Sequence, residues 1–364
     1  MKPIRFLMIG GFLGAGKTTT IGKLAAHYVA AGKNVALVTN DQAYDLVDTH
    51  TLRAQGFNVG EVPGACFCCK FDDLIDTVGS MSSQQTPDIV IAEPVGSCTD
   101  LVATVIQPMR ELFGDRFELG PLVVLLKPNH GKKILSETQG KGFSPKAEYI
   151  FLKQLEEADS IAINKIDRIS DADQAELLEL VRRRFPDVNC FGLSSKNGIG
   201  FEDLITAVEA EPIKRNQMME MDYVTYAEGE AELGWLNCQI AATAESRFSL
   251  DEVVLKIVAQ IGERLTAAGH EVAHLKVLGQ TLNDAAVANL VGSGVEAELS
   301  LASEIKPTQA DLLVNARVAV DPDQLREIVL AVTQELAKQL NIELTVGNIQ
   351  SFRPGKPEPT HRAQ

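Results

Sequence analysis

Short, continuously apolar runs alternate with longer segments of helical periodicity in the first half of the chain. The runs occupy residues 4–9, 35–39, 89–92, 122–126 and 160–163. They lack polar–apolar alternation, as expected of parallel strands that helices cover on both faces. A helix over residues 17–31 stops at Gly32, and a second begins with Ser144 as N-cap and Pro145 in its first turn. The pattern predicts an α/β fold, a parallel sheet flanked by helices.

A different order of elements follows residue 212. A polar linker over residues 211–217 precedes a strand, a helix, two or three strands, a helix and a strand, at 235–243, 249–268, 272–319, 321–340 and 342–350. This order predicts a smaller α+β domain of ferredoxin-like type. The predicted organisation is therefore domain 1–212, domain 213–353 and a disordered, proline-containing tail 354–364. Residues 127–143 are predicted to form a mobile loop.

Composition and charge narrow the classes of partner. The chain has 364 residues, 45% of them hydrophobic, and a formal net charge of −15. Such an acidic chain would repel nucleic acid and anionic membrane surfaces, so we expect neither as a main partner. Glycines interrupt the apolar run near the N-terminus, which argues against a signal peptide. We expect a cytoplasmic protein whose cysteines stay reduced.

The strongest motif lies between the first strand and the first helix. Residues 11–18 match the phosphate-loop pattern G-x-x-x-x-G-K-[ST] at every fixed position. Backbone N–H groups of such a loop surround a phosphate, Lys17 reaches the β- and γ-phosphates, and the Thr18 hydroxyl binds Mg²⁺. The predicted phosphate-binding residues are Gly11, Gly14, Ala15, Gly16, Lys17, Thr18 and Thr19. The sequence thus predicts a P-loop NTPase.

A second motif selects the base. Asn164, Lys165 and Asp167 form an Asn-Lys-x-Asp element directly after a predicted strand. The Asp carboxylate can accept from guanine N1–H and from the 2-amino group, which adenine lacks. The motif therefore predicts GTP and disfavours an ATPase. Ser195 and Lys196 resemble the last guanine-contacting loop, with an ordinary polar turn as the alternative.

Two carboxylates are placed to sense magnesium and the γ-phosphate. Asp41 and Glu93 each end an apolar strand, where a carboxylate can hold Mg²⁺ directly or through water. Gly96 can offer its backbone N–H to the γ-phosphate, whereas Asp41 has the alternative role of a helix cap. We assign catalysis to Lys17, Thr18, Glu93 and Gly96. The sequence shows no obvious general base, so we expect GTP hydrolysis to depend on positioning and on stabilisation of charge by Lys17 and Mg²⁺.

A cysteine cluster lies between the Asp41 and Glu93 segments. Cys66, Cys68 and Cys69 can bind one soft or borderline cation as thiolates, with Zn²⁺ as the expected ion and Co²⁺, Ni²⁺ or Cu⁺ as alternatives. The alternatives are a redox dithiol or simple packing. Cys98 is a candidate fourth ligand, and its alternative is a small buried residue.

The order of these motifs resembles the SIMIBI-class, metal-handling GTPases of the CobW, HypB and UreG family over about the first 210 residues. The Cys-x-Cys-Cys element is similar to the CobW branch in particular. The resemblance implies GTP hydrolysis coupled to metal or cofactor delivery, zinc or cobalt as cargo, and a separate C-terminal α+β domain. Ala65 stands where the family usually has glycine, and Lys127 where it tends to have an acidic residue.

Two functions follow from these observations. In the first, a metallochaperone, GTP–Mg²⁺ draws Asp41, Glu93 and Gly96 onto the γ-phosphate and reshapes the cysteine loop. Hydrolysis is slow until a client metalloprotein or a homodimer completes the site. In the second, the chain is a GTP-gated adaptor or activator of a corrinoid or methyltransferase protein, and its thiols are structural or redox-active.

Overall fold

Seven parallel strands form the first sheet of the computed structural model, which describes residues 2–43, 46–82, 86–136, 144–213 and 217–364. The strands are β1 Ile4–Gly11, β2 Val35–Asp41, β3 Asn58–Pro63, β4 Ile89–Glu93, β5 Phe117–Leu126, β6 Ser160–Asn164 and β7 Asn189–Leu193. Their order is β3-β2-β4-β1-β5-β6-β7, so the predicted parallel sheet is confirmed. The apolar-run pattern did not reveal β3 because this edge strand contains asparagine, glycine and glutamate.

The helices confirm most of the predicted helical segments. They are α1 Lys17–Ala30, α2 Val47–Ala54, α3 Phe71–Ser82, α4 Gln107–Phe113, α5 Pro128–Leu135, α6 Pro145–Glu156, α7 Asp171–Arg184, α8 Phe201–Glu209, α9 Tyr223–Glu230, α10 Leu250–Ala267 and α11 Pro322–Leu340, with a π-helical turn at Val102–Ile106 and a 3₁₀ turn at Ile166–Arg168. Ser144 caps α6 as predicted, because its hydroxyl accepts from the Ala147 N–H at 3.1 Å.

The predicted mobile loop over residues 127–143 is wrong in its first half. Residues 128–135 form α5, in which Pro128 occupies the first turn, where its missing N–H costs no helical hydrogen bond. Ile134 and Leu135 are buried, and this burial stabilises the helix. The glycine and the lysines of this segment had favoured a loop in the sequence-based prediction. Residues 137–143 lie outside the described part of the chain.

The second sheet is antiparallel, in the order β11-β10-β9-β12-β8-β13. Its strands are β8 Gly234–Thr243, β9 Val272–Gln280, β10 Ala285–Leu290, β11 Glu298–Leu301, β12 Gln309–Val318 and β13 Glu343–Phe352. The order β13-β8-β12-β9, with α10 after β8 and α11 after β12, is the predicted ferredoxin-like arrangement, and β10 and β11 extend one edge. Residues 272–319 therefore form four strands, β9 to β12, where two or three were expected. The core of this sheet includes Ile257, Ile261, Val329 and Leu336 from the two helices.

The two compact units of the chain are not the two contiguous segments that the sequence predicted. The first contains Met1–Gln42, Phe57–Gly229 and Lys356–Gln364, and the second contains Ala43–Gly56 and Glu230–Gly355. The division falls after residue 229 instead of residue 212, and residues 214–216 of the predicted linker lie outside the described residues. The last nine residues, predicted to belong to a disordered tail, are part of the first unit. No described helix is long and apolar enough to cross a membrane.

Helix α2 belongs to the second unit although it follows β2 in the chain. Val47 is fully buried and packs with Leu278, and its N–H donates to the Asn315 side chain at 2.9 Å. Asp48 forms an ion pair with Lys276. An amphipathic pattern shows that a helix has a buried face, but it does not show which sheet that face contacts. Contiguous domains were therefore the simplest expectation from sequence.

Candidate nucleotide and metal site

The phosphate loop connects β1 to α1 through three glycines in the left-handed half of backbone space. Gly11, Gly14 and Gly16 have φ values of 131°, 74° and 96°, which strain any residue with a Cβ. A Cβ at Gly11 would also lie 2.5 Å from the Leu125 carbonyl oxygen. These glycines let the loop turn tightly and end at the N-terminus of α1, where N–H groups and the helix dipole favour a bound anion.

Three predicted catalytic side chains gather beside this loop. The Lys17 ammonium donates to the Gly11 carbonyl at 3.1 Å, and the Thr18 hydroxyl donates to a Glu93 carboxylate oxygen at 3.1 Å. Glu93 is only 5% exposed. A hydroxyl and a buried carboxylate are oxygen ligands of the kind Mg²⁺ prefers, so this pair fits the ion. Asp41 ends the strand next to β4, at the same carboxyl edge of the sheet.

The segment after β4 lies directly against the phosphate loop. A Cβ at Gly96 would approach the Leu13 Cδ2 atom to 2.7 Å and its Cα to 3.2 Å. The buried amide of Gln154 donates to the carbonyls of Gly96 and Cys98 at 3.0 and 2.8 Å. Gly96 therefore permits a close approach that a side chain would prevent, and Gln154 fixes the backbone on either side of Ser97.

The predicted base-reading motif is joined to the phosphate loop. The Asn164 amide donates to the Ala15 carbonyl at 2.8 Å, and its oxygen accepts from the Ser195 N–H at 3.0 Å. The hydroxyls of Ser195 and Thr20 share a hydrogen bond of 2.6 Å. A Cβ at Gly16 would lie 2.5 Å from the Asn164 amide nitrogen, so this glycine is also needed for the approach. The structure thus brings Ser195 to the Asn164 motif.

The remaining nucleotide-site residues are more exposed. The Asp167 carboxylate is at the surface and accepts from the Ser194 hydroxyl at 2.6 Å. Lys165 has a φ of 66°, a left-handed conformation that is uncommon for a residue with a side chain. Thr19 and Lys196 are exposed. An exposed carboxylate held by one hydroxyl retains acceptor capacity for a ligand.

Three thiols converge in the loop between β3 and α3. The sulfurs of Cys66, Cys68 and Cys69 all lie within 4.8 Å of one another. The separations are 2.9 Å for Cys66–Cys68, 3.3 Å for Cys66–Cys69 and 3.7 Å for Cys68–Cys69. Sulfurs about 2.3 Å from a tetrahedral Zn²⁺ are about 3.8 Å apart, so a small expansion of the cluster suits that ion.

The protonation of the cluster is uneven. Hydrogen bonds from Cys68, Cys69 and Cys98 hold the pKa of the Cys66 thiol well below its usual value. Hydrogen bonding to Cys66 raises the pKa of Cys68 well above that value and raises the pKa of Cys69 to about 12. The arrangement favours one thiolate surrounded by thiols. The Cys98 side chain, the candidate fourth ligand, also hydrogen-bonds to Cys66 and Cys68, but it is not one of the three thiols that all lie within 4.8 Å of one another.

Asn40 supports the cysteine loop from the end of β2. Its amide donates to the carbonyls of Val62 and Ala65, both at 2.7 Å, and its oxygen accepts from the Phe67 N–H at 2.8 Å. Asn40 is 5% exposed and immediately precedes Asp41. One strand end therefore carries both a predicted magnesium residue and the group that shapes the thiol loop.

One protein-family model covers the phosphate loop, the base motif and the cysteine loop together. A model of the CobW/HypB/UreG nucleotide-binding domain matches residues 5–190. The chain belongs to the CobW/HypB/UreG family. The resemblance stated from the motifs is thereby confirmed, and with it a P-loop, GTP-binding character for the first unit.

Two relatives of this family member have names that concern zinc. The chain is 32% identical over 173 residues to the zinc chaperone YeiR of Escherichia coli (strain K12), covering 46% of this chain and 48% of the relative. It is 35% identical over 97 residues to the zinc chaperone CobW of Sinorhizobium sp, covering 24% and 27%. The matches therefore span about half or less of these relatives' length.

The solved structures that the chain is similar to are more distant in sequence. Zn(II)-bound YjiA GTPase from E. coli is 16% identical, with a TM-score of 0.39 over 91% of this chain and 99% of that one. HypB from Helicobacter pylori in complex with nickel is 19% identical, with a TM-score of 0.41 over 56% and 84%.

Some residues of this family member that shape the site were not predicted from its sequence. Asn40 and Gln154 make buried hydrogen bonds to the segments that carry predicted residues, and Asp100, two residues after Cys98, accepts from the Tyr223 and Arg362 side chains. Asn40 was recognisable in principle, because it is a polar residue at the end of an apolar strand. Gln154 and Asp100 carried no such signal, since they lie within a helix and within an irregular segment.

Proposed function

We propose that the protein is a GTP-hydrolysing metallochaperone that binds Zn²⁺ at Cys66, Cys68 and Cys69 and delivers it to a client metalloprotein. The convergence of the three thiols within 4.8 Å, in a loop anchored beside Asp41, carries this proposal. The names of the two zinc-chaperone relatives support zinc over cobalt. Cys98 is proposed as a fourth ligand that a client ligand replaces during transfer.

Each nucleotide-site residue has a physical role in this proposal. Lys17 neutralises charge on the β- and γ-phosphates, and Asp167 accepts from the guanine N1–H and 2-amino group. Thr18, Glu93 and Asp41 would hold Mg²⁺, which supplies positive charge opposite the phosphates. The Gly96 N–H donates to the γ-phosphate. Hydrolysis rests on positioning, so we expect slow turnover without a partner, either a client or a second copy of the chain.

Coupling between nucleotide and metal follows from chain connectivity within the first unit. The end of β2 carries Asp41 next to Asn40, whose amide is hydrogen-bonded to the cysteine loop. The segment after β4 runs from Glu93 through Gly96 to Cys98, whose thiol reaches the cluster. Mg²⁺ bound with GTP would draw the Asp41 and Glu93 carboxylates, and the γ-phosphate would draw the Gly96 N–H, so binding of GTP–Mg²⁺ would also change the spacing of the thiols.

Metal competition tests the proposal. The reduced protein is titrated with Zn²⁺ or Co²⁺ against a chromophoric chelator, in the presence of GDP–Mg²⁺ or a non-hydrolysable GTP analogue. We expect tight zinc binding that changes at least about tenfold between nucleotides, a coupling of about 1.4 kcal/mol. A Cys66→Ser/Cys68→Ser/Cys69→Ser variant should lose the binding, whereas Cys190→Ala, which removes a thiol from β7, should retain it.

Two outcomes would contradict the metallochaperone. Zinc affinity that is equal in the triple variant would remove the cysteine loop as the site. A tight zinc affinity that is the same with GDP and with the GTP analogue would mean that metal binding is not coupled to the nucleotide. It would favour the adaptor function with structural thiols. GTP and ATP competing equally for the protein would contradict the role of Asp167.

A further inference from the structure

The C-terminal residues lie along the cysteine loop within the first unit. The Thr360 N–H donates to the Cys68 carbonyl at 2.8 Å, and the Thr360 hydroxyl donates to the Cys69 carbonyl at 3.3 Å. The Glu358 N–H donates to the Cys69 sulfur at 3.2 Å. Cys69 is the half-buried thiol of the cluster, while Cys66 and Cys68 are at most 2% exposed. The segment thus covers the thiol that is otherwise most open to solvent.

An ion pair holds this segment in place. The Arg362 guanidinium donates to the Asp100 carboxylate at 2.7 Å and to the Met219 carbonyl at 2.7 Å. The Asp100 side chain is 1% exposed and also accepts from the Tyr223 hydroxyl at 2.6 Å. The Ala363 N–H donates to the Ala103 carbonyl at 2.8 Å. Because removing one partner of a buried carboxylate is destabilising, loss of Arg362 should loosen the segment.

Hydrogen bonds hold much of the segment, with limited burial. Glu358, Thr360 and Arg362 are exposed, although Pro357 is buried and the His361 ring packs edge-on against Phe71. Segments with little buried apolar surface open at a small fraction of the free energy of global unfolding. The cover can therefore detach while the parallel sheet remains folded.

We propose that residues 356–364 form a removable cover of the cysteine site, latched by Arg362 on Asp100. When closed, the segment shields the Cys69 sulfur and donates an N–H to it, an outer contact that retains a bound metal. When open, it exposes Cys69 to an incoming metal or to a ligand of the client. The role in metal exchange rests on the proposed function, whereas the covering of Cys69 does not.

Alkylation of the reduced, metal-free, full-length protein by iodoacetamide tests the cover, with peptide mass spectrometry reporting the rate at Cys69. Arg362→Ala removes the latch, and Thr360→Pro removes both donors of that residue. We expect about a tenfold faster rate at Cys69 in each variant, a smaller increase in Arg362→Lys, and none in Arg353→Ala, which alters an exposed arginine of the second unit. Buried Cys190 reports general unfolding and should not change.

The two variants open the segment in different ways, because one removes the ion pair with Asp100 and the other removes the hydrogen bonds to the Cys68 and Cys69 carbonyls. A faster rate in both variants therefore reports access to the Cys69 sulfur. Equal rates at Cys69 in the wild type, Arg362→Ala and Thr360→Pro would overturn the proposal. A matching rise at Cys190 in both variants would assign the effect to unfolding and overturn it as well.

Zinc release tests the role in metal exchange separately. Zinc-loaded, full-length wild type and Arg362→Ala are mixed with excess chelator, and the release rate is followed by absorbance. We expect about tenfold faster release from Arg362→Ala, and unchanged release from Arg353→Ala. Equal release rates would overturn the retention role. A wild type that binds no zinc would instead contradict the proposed function, and the alkylation rates would still decide whether the segment covers Cys69.

Discussion

Substitution of Asn40 by alanine should uncouple the cysteine loop from β2. The side chain makes hydrogen bonds to the Val62 and Ala65 carbonyls and to the Phe67 N–H, and alanine makes none of them. The neighbouring Asp41, which is the proposed magnesium ligand, is unchanged in this variant. The perturbation therefore acts on the shape of the thiol loop and leaves every proposed metal and nucleotide ligand in the chain.

The burial of the three partner groups sets the magnitude. Val62 and Phe67 are at most 1% exposed, so their carbonyl and N–H would lose a partner where water has little access. Each such group costs about 1–3 kcal/mol, whereas the half-buried Ala65 carbonyl can turn to water. For these two groups together, we expect the free energy of unfolding of the first unit to fall by about 2–6 kcal/mol. Loss of preorganisation should weaken zinc binding about tenfold or more.

Urea unfolding and chelator competition measure these two effects, and binding of a fluorescent GTP analogue should change less than about threefold. Asn34→Ala is the matched control, because this asparagine is only partly buried and bonds to the Thr86 carbonyl. Asn40→Asp should be at least as harmful as Asn40→Ala, since a carboxylate would face two carbonyl oxygens. Wild-type zinc affinity and stability in Asn40→Ala, or in Asn40→Asp, would refute the reasoning.

Three further predictions concern other parts of the chain. Gly96→Ala should weaken binding of the GTP analogue about tenfold or more because its Cβ would lie 2.7 Å from a phosphate-loop side chain, whereas Gly355→Ala, with no atom within 4 Å of its Cβ, should bind normally. Asp167→Asn should weaken GTP binding about a hundredfold and improve binding of the xanthine nucleotide, whose 2-carbonyl accepts from an amide; unchanged GTP affinity would exclude Asp167 from base recognition. Burial raises the pKa of Asp251, but hydrogen bonds from Ser303 outweigh it and hold that pKa below its usual value. Its contribution to stability is then present above pH of about 4 and is lost as pH falls through the lower folded pKa. The stability difference between wild type and Asp251→Asn in urea should therefore shrink below that pH, and a constant difference would contradict this assignment.

The local sequence was sufficient to predict a site where the residues that form it are neighbours in the chain. The phosphate loop is recognisable because the glycine spacing, the lysine and the threonine act on one ligand from one turn. The base motif and the three clustered cysteines are similarly contiguous. Parallel strands that are buried on both faces can also be recognised from sequence, because each one is a continuous run of apolar residues. The ferredoxin-like type of the second domain followed from the order of its predicted strands and helices.

Contacts between residues distant in the chain were decided only by tertiary structure. Three side chains make hydrogen bonds to distant parts of the chain that no short sequence motif predicts. They are Asn40, which bonds to the cysteine loop, Gln154, which bonds to the Gly96 segment, and Arg362, which bonds to Asp100. Likewise, α2 packs on the second sheet, and the last nine residues join the first unit. Hydrophobic periodicity gives the face that an element buries, but the packing partner depends on shape and on the pairing of buried polar groups. The sequence alone therefore predicted the residues that we propose as ligands of this site, and the fold decided which residues hold and contact them.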